Sequence, residues 1–242
     1  MKHVITFLLI FVSSFVFSQN SFNVTSQSVG VNTSFSVEIG LENTSEVTAF
    51  QFDLSHNESA YELLSGSTLT TRAENHILSV STIDETTIRV IVFSASNEVI
   101  SIGSGAILNL NFVSNNEPGI YGLSMSDIVL SDQNGAALSV SSTGGNVTIL
   151  GPRYDLVTTA VNFGEIPINS TPLQSVNVSN TGNEDLIISS YSIDAPFSLI
   201  EALPVTIPSG NSRSFSVSVD TSNKQVVSKE LSFTTNDQDP LR

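Results

Sequence analysis

The chain has 242 residues, with 8 Lys and Arg against 23 Asp and Glu, for a formal net charge of -15. A surface this acidic lacks the Lys/Arg stripe that phosphates require, which excludes a nucleic-acid partner. A hydrophobic content of 40% with only 13% charged residues excludes a disordered chain, and the absence of cysteine excludes disulfides, thiolate metal sites, a cysteine nucleophile and a lipid-modified cysteine.

Lys2 and His3 precede an apolar run at 4–17, and Val16 and Ser18 set a medium and a small residue ahead of Gln19. This three-part layout predicts a secretory signal peptide over 1–18. The run is too short for a transmembrane helix, which needs about 20 apolar residues. No later segment reaches spanning length. The expectation is therefore an extracellular mature chain, secreted or attached to the cell surface, with no membrane insertion after signal removal. Lacking cysteine, it must be stabilised by its core alone.

The remainder predicts strands. Phe35, Val37, Ile39 and Leu41 alternate with polar residues, as do Phe50, Phe52 and Leu54, then Ile88, Val90 and Val92. Ala106, Leu108, Leu110 and Phe112 repeat the pattern, and Phe215, Val217 and Val219 repeat it again. A period of two puts each set on one face of a half-buried strand. Tyr61 to Leu64 reads as a short turn or strand. Turn formers punctuate the runs, among them Gly103-Ser104-Gly105, Glu117-Pro118-Gly119, Asp132-Gln133-Asn134-Gly135 and Gly144-Gly145-Asn146. No segment carries a 3.6-residue stripe for three turns. The fold class is all-β, with two β-sandwich domains. Gly151-Pro152 cannot continue a ladder, because proline lacks a donor, so the boundary falls there: one domain over 19–150 and a second over 151–242.

With the strands placed, residues 24–149 resemble a cohesin domain, the module that docks dockerins in cellulosome-type assemblies. Val29-Gly30-Val31-Asn32-Thr33-Ser34-Phe35 resembles its opening loop and first long strand, and Val47-Thr48-Ala49-Phe50-Gln51-Phe52-Asp53-Leu54 its "gv-gFqf-l-yd" strand. Tyr61-Glu62-Leu63-Leu64, the strand at 88–95, the "G-lltltF"-like strand at 105–112 and the segments at 117–121 and 127–135 follow in family order. The resemblance implies a jelly-roll-type sandwich with a flat protein-binding sheet face. It places the polar contact positions on Ala49 and Gln51, and Ala49 offers no side-chain hydrogen bond. The candidate binding face is Ala49, Gln51, Asp53, Arg89 and Ser94. Because the cohesin fold groups with carbohydrate-binding sandwiches, a polysaccharide is the alternative ligand.

The second domain resembles ASPM–SPD-2–Hydin-like domains, immunoglobulin-like modules of bacterial "choice-of-anchor" D proteins. Phe163-Gly164 within 161–171 resembles the "FG" opening, Ser175 to Leu186 resembles "tvtltNtGnapL", and Pro196-Phe197-Ser198-Leu199 resembles "pFsl". Pro208-Ser209-Gly210 and the segment at 233–240 match two further motifs. Within this set, Asn180-Thr181-Gly182-Asn183 is a strong turn in which Gly182 and Asn183 tolerate positive φ. Phe163 and Phe197 are core anchors. The resemblance implies one more strand than the sequence to Arg242 supplies, so the expectation is a truncated domain of a longer surface protein.

Chemistry is sparse. Beyond the leader only His56 and His76 remain, both in polar surroundings that predict solvated surface side chains, and neither a G-x-S-x-G elbow nor HExxH is present. Glu38, Glu42 and Glu46 read as solubility charges. Asp132 and Asn134, then Asp237 and Asp239, group oxygens as calcium loops do, without the distal bidentate Glu of an EF-hand. Asx turns account for both groups without a metal. Trp is absent and Tyr61, Tyr121, Tyr154 and Tyr191 are scattered, so no stacking platform for sugars is evident. The leading expectation is a secreted, non-catalytic binding or scaffold protein. Its partner is a dockerin-like or other surface protein, and it needs no cofactor. The alternatives are a carbohydrate-binding accessory module in polysaccharide degradation and a purely structural stalk.

Overall fold

The computed structural model describes residues 20–239. The leader at 1–18 and Pro240 lie outside them. Among the described residues there is no helix, and nineteen strands form four sheets.

The first sandwich contains β1 (Asn20–Val24), β2 (Gln27–Gly30), β3 (Ser34–Asn43), β4 (Ala49–Ser55), β5 (Tyr61–Leu63) and β6 (Thr68–Leu69). It continues with β7 (Ile77–Asp84), β8 (Thr87–Phe93), β9 (Gly103–Ser114), β10 (Gly119–Ser131), β11 (Val140–Thr143) and β12 (Gly145–Leu150). One six-stranded sheet runs β11-β1-β3-β9-β5, with β6 also on β9, and the other runs β2-β12-β10-β4-β8-β7. The alternating sets point where their period requires. Val37, Ile39 and Leu41 of one sheet face Phe50, Phe52 and Leu54 of the other, all buried in one core. Phe22 of β1 bridges the layers, its ring 5.3 Å from Phe50 and 5.6 Å from Phe52. At one end of the core Phe112 packs edge-on against Tyr61, 5.5 Å between centroids.

Both ends of this sandwich's chain are stitched into both sheets. β1 pairs in parallel with β11, and β2 in parallel with β12. Only Gly144 separates β11 from β12 where the chain changes sheet, and a Cβ there would collide with the Leu123 carbonyl. The cohesin resemblance starts at Val24, inside the domain expected over 19–150. β1 begins before it, at Asn20, because Phe22 and Val24 are its only apolar residues and Asn20, Ser21 and Asn23 look like a loop.

The second sandwich has β13 (Tyr154–Leu156), β14 (Leu173–Asn180), β15 (Leu186–Ser192), β16 (Phe197–Leu199), β17 (Val205–Ile207), β18 (Ser212–Val219) and β19 (Ser232–Thr235). A four-stranded sheet β13-β14-β18-β16 covers a three-stranded sheet β17-β15-β19. Its core is much smaller, centred on Phe215, Val178 and Ile188, with Phe163 and Phe197 packed against it only partly buried.

The two sandwiches are joined by a hydrogen-bonded clasp. Asn183 donates through Nδ2 to the Ile149 carbonyl (2.8 Å) and accepts the Gly151 N–H on Oδ1 (2.9 Å). Its backbone N–H and that of Glu184 both donate to the Gly151 carbonyl, and the Thr181 N–H donates to the Arg153 carbonyl. Buried Asn180 accepts the Arg153 N–H (3.1 Å) and donates to the carbonyls of Glu184 (2.7 Å) and Ile207 (3.0 Å). The Arg153 guanidinium pairs with Glu117 of the first sandwich, a half-exposed contact worth little on its own. The positive φ expected at Gly182 and Asn183 is absent. Glycine is required at 182 for a different reason: a Cβ there would strike the Gly151 carbonyl and the Arg153 nitrogen.

Removing a buried amide strands its partners, at about 1–3 kcal/mol for each group left unpaired. Asn180→Ala should therefore lower the unfolding free energy of the second sandwich by at least that amount in urea titration. Gly182→Ala should loosen the junction and broaden the interdomain distance distribution measured by spin labels on the two sandwiches.

Candidate protein-binding face

The sheet β2-β12-β10-β4-β8-β7 turns one face to the core and the other outward. Because the side-chain period is two, Ala49, Gln51, Asp53 and Ser55 of β4 share the outer face. Register then assigns their neighbours. Ile77, Phe93, Ala49 and Ser131 form one row across β7, β8, β4 and β10. Ser79, Ile91, Gln51 and Val129 form the next, and Ser81, Arg89, Asp53 and Ser126 the third. A fourth row holds Asp84, Thr87, Ser55 and Ser124.

The face is chemically graded. In the first two rows Ile77, Phe93 and Val129 are exposed by 48%, 40% and 52%, with half-buried Ile91 between them. The third row is ionic. Arg89 grips Asp53 with both ends of its fork, Nε to Oδ1 and Nη2 to Oδ2, each 2.7 Å. Asp53 is only 4% exposed, and the Arg89 hydrogen bonds hold its carboxyl below the ordinary range against the opposing effect of burial. The bulge between Ser126 and Val129 of β10 carries exposed Asp127, at φ 47°, to the acidic side of the face.

The candidate residues fare differently. Ala49 and Gln51 sit at the centre of the graded face. Asp53 is on the same face but buried and fully occupied by Arg89, so it supports the surface rather than presenting itself to a partner. Ser94 is beyond the end of β8, where its hydroxyl accepts the N–H groups of Ser96 (3.3 Å) and Glu98 (2.8 Å) and shapes a loop. Ile77, Phe93 and Val129 were missed. The signal for Phe93 lies in the run Ile88-Arg89-Val90-Ile91-Val92-Phe93, where apolar residues occupy both phases of the alternation instead of one.

Other sequence candidates resolve as local structure. Asp132 Oδ1 accepts the N–H groups of Asn134 and Ala136, both 2.9 Å, closing a turn. Asp237 accepts the N–H of Tyr154 (2.7 Å) and of Asp239 (3.0 Å). Among the described residues no three His, Cys, Asp or Glu side chains converge as metal ligands would. Glu38, Glu42 and Glu46 are exposed. An open groove of 1370 Å³ in the second sandwich is lined by Phe163, Leu231 and Phe233 together with polar residues such as Asn162, Asp220 and Lys229.

The histidines correct the sequence reading. Both are 92% or more shielded, each with 8% exposure. His56 packs against Tyr61 and Phe112 at 6.0 and 6.1 Å between centroids, which the polar sequence Asn57-Glu58-Ser59 hides. Its Nδ1 has no hydrogen-bond partner, and the ring of His76 lies against the Thr48 backbone without a well-formed hydrogen bond. Burial lowers both pKa values below 6.5, so the folded state keeps both rings neutral. The unfolded chain takes up protons below pH 6.5 that the folded chain refuses, so stability falls as pH drops through that value.

Residues 152–242 match the family model described as HYDIN/CFA65/VesB-like, Ig-like domain. No curated protein matches the chain. Among solved structures, the complex of a dockerin variant with the cohesin CaCohA2 of Clostridium acetobutylicum matches with a TM-score of 0.50 and 18% identity, over 54% of this chain and 99% of that one. A type I cohesin–dockerin complex of Clostridium thermocellum, containing the OlpA cohesin, matches with a TM-score of 0.51 and 13% identity, over 55% of this chain and 100% of that one. At such identities the likeness shows the fold: a cohesin-like, jelly-roll-type sandwich followed by an immunoglobulin-like one. Both resemblances read from the sequence therefore stand.

Two outcomes follow. Denaturant midpoints of the first sandwich should fall between pH 7 and pH 5, and the combined replacements His56→Phe and His76→Leu should flatten that slope. Arg89→Met should destabilise the first sandwich, since it leaves the Asp53 carboxylate buried and unpaired, and Asp53→Asn added to it should recover part of the loss.

Proposed function

We propose that the chain is an exported, non-catalytic binding protein whose first sandwich docks a protein partner on the outer face of β10-β4-β8-β7. The second sandwich serves as a spacer that holds this face in a fixed orientation. The observation that carries the reading is the exposure of Ile77, Phe93 and Val129 on two adjacent rows of one continuously paired sheet. Contiguous exposed apolar side chains bordered by polar ones are the usual mark of a protein interface. The first sandwich contains two cationic side chains, Arg72 and Arg89. Arg89 is held by Asp53, and Arg72 donates to carbonyls of the loop at 101–105 and to Asn43. Asp127 shares Arg89 with Asp53, and Asp84 closes a turn onto Thr86, so the face beyond the ionic row is acidic and holds no uncommitted cation.

The partner is accordingly a protein with an apolar centre and a basic rim, of dockerin-like or other surface-protein type. Both cohesins described above were solved with dockerins, which supports a protein partner over a polysaccharide. Export is supported by the leader-like sequence at 1–18, and the chain acts outside the cell, free or at the cell surface.

A panel of recombinant dockerin modules, presented with cellulose and xylan as polysaccharide controls, tests the proposal. The mature chain should retain at least one module and neither polysaccharide. Phe93→Glu should weaken that retention at least tenfold with an unchanged circular dichroism spectrum. Retention on polysaccharide alone, or docking indifferent to Phe93→Glu, contradicts it.

A further inference from the structure

Sheet edges offer rows of unpaired N–H and C=O groups, and folded proteins shorten, charge or bend them to prevent pairing with other chains. Among the described residues, every strand that ends a sheet follows that rule but one. β11, β5, β2, β13, β16, β17 and β19 end their sheets and are three or four residues long. β7 ends its sheet at eight residues. It pairs with β8 from Ile77 to Asp84, and no backbone hydrogen bond joins its outer edge to another part of the described chain.

The usual protections are missing from this edge. Ile77-Leu78-Ser79-Val80-Ser81-Thr82-Ile83 contains no charge, no proline and no glycine. Its register irregularity passes over Ile83, and the regular pairing with β8 runs from Ile77 to Thr82. Ile77 and Ile83 are each half-exposed, and Ser79 and Ser81 are exposed between them.

We infer that β7 is a homotypic pairing edge, which joins two copies of this chain antiparallel about a two-fold axis at Val80. The sequence is self-complementary about that residue. Ile77 falls opposite Ile83 of the second copy, Leu78 opposite Thr82, and Ser79 opposite Ser81. Every cross-strand pair over this stretch is apolar or hydroxyl-bearing, and no like charges meet. A C2 contact requires this property, because the same patch must serve both sides. A foreign peptide selected by charge would find nothing on this strand to read. The axis is perpendicular to the sheet, so the outer faces of both copies look the same way and remain uncovered.

The opposing force is long-range. Each chain carries a formal charge of -15, and two such chains repel until salt screens them. Pairing should therefore tighten with salt, whereas docking of a basic-rimmed partner should weaken.

Sedimentation velocity on the mature chain, from low to high micromolar concentration at low and high salt, tests the inference. The expected result is a monomer–dimer equilibrium whose dimer fraction rises with salt. The double replacement S79K/S81K should weaken it at least tenfold, as should S79E/S81E, while a mixture of the two variants associates again. That rescue also shows that both variants are folded. Phe93→Glu, which lies on β8 away from the edge, should leave the dimer intact while removing docking. A wild-type chain that stays monomeric under every condition, or a dimer untouched by S79K/S81K, overturns the inference.

Discussion

Everything that positions the candidate surface depends on the pairing of β4 with β8. Seven consecutive residue pairs, from Ala49↔Phe93 to Ser55↔Thr87, fix which side chains face inward. On the inner side Phe50, Phe52, Leu54, Ile88, Val90 and Val92 are buried, each worth about 1.5–3 kcal/mol on removal from water. A slip of one residue would turn these groups to solvent and drive Asp53 and Arg89 into the core. The bidentate pair therefore makes the register unambiguous. It also sets a rigid polar border beside Gln51 and Ile91, so the apolar rows end at a defined line.

The clasp at Gly151 to Arg153 extends this order across the molecule. A linker of so few residues would by itself permit a hinge. Here its backbone groups are taken up by Asn180, Asn183 and the turn between them. The turn of one sandwich thus supplies the hydrogen bonds of the connection to the other. An orientation held in this way suits the proposed spacer better than a flexible tether does.

Much of the fold was legible because burial imposes a period of two. Phe35 to Leu41, Phe50 to Leu54 and Ile88 to Val92 declared their inward faces directly. β1 was not legible, since Phe22 and Val24 are too few to reveal a period and its pairing with β11 is non-local. The histidines were misread for a related reason: nothing in Asn57-Glu58-Ser59 records that Tyr61 and Phe112 fold over His56. At the candidate site, Ala49 and Gln51 were placed on the face by resemblance and stand at its centre. Asp53 and Ser94 were placed there too, but the depth of one and the loop position of the other depend on cross-strand register. Gly182 shows the same limit. Its sequence context indicated a turn, and the contact that requires glycine comes from a linker some thirty residues earlier.

The same sandwich presents its partner surface on a face and its longest unprotected backbone on an edge, so contact across one leaves the other open. The central claim concerns the face. Hydrogen–deuterium exchange of the mature chain, alone and saturated with a retained dockerin module, tests it most directly. The account predicts added protection confined to peptides from β4, β7, β8 and the bulged half of β10. Protection centred instead on β3 and β9 of the opposite sheet, or on the groove around Phe163 and Phe233, would contradict it.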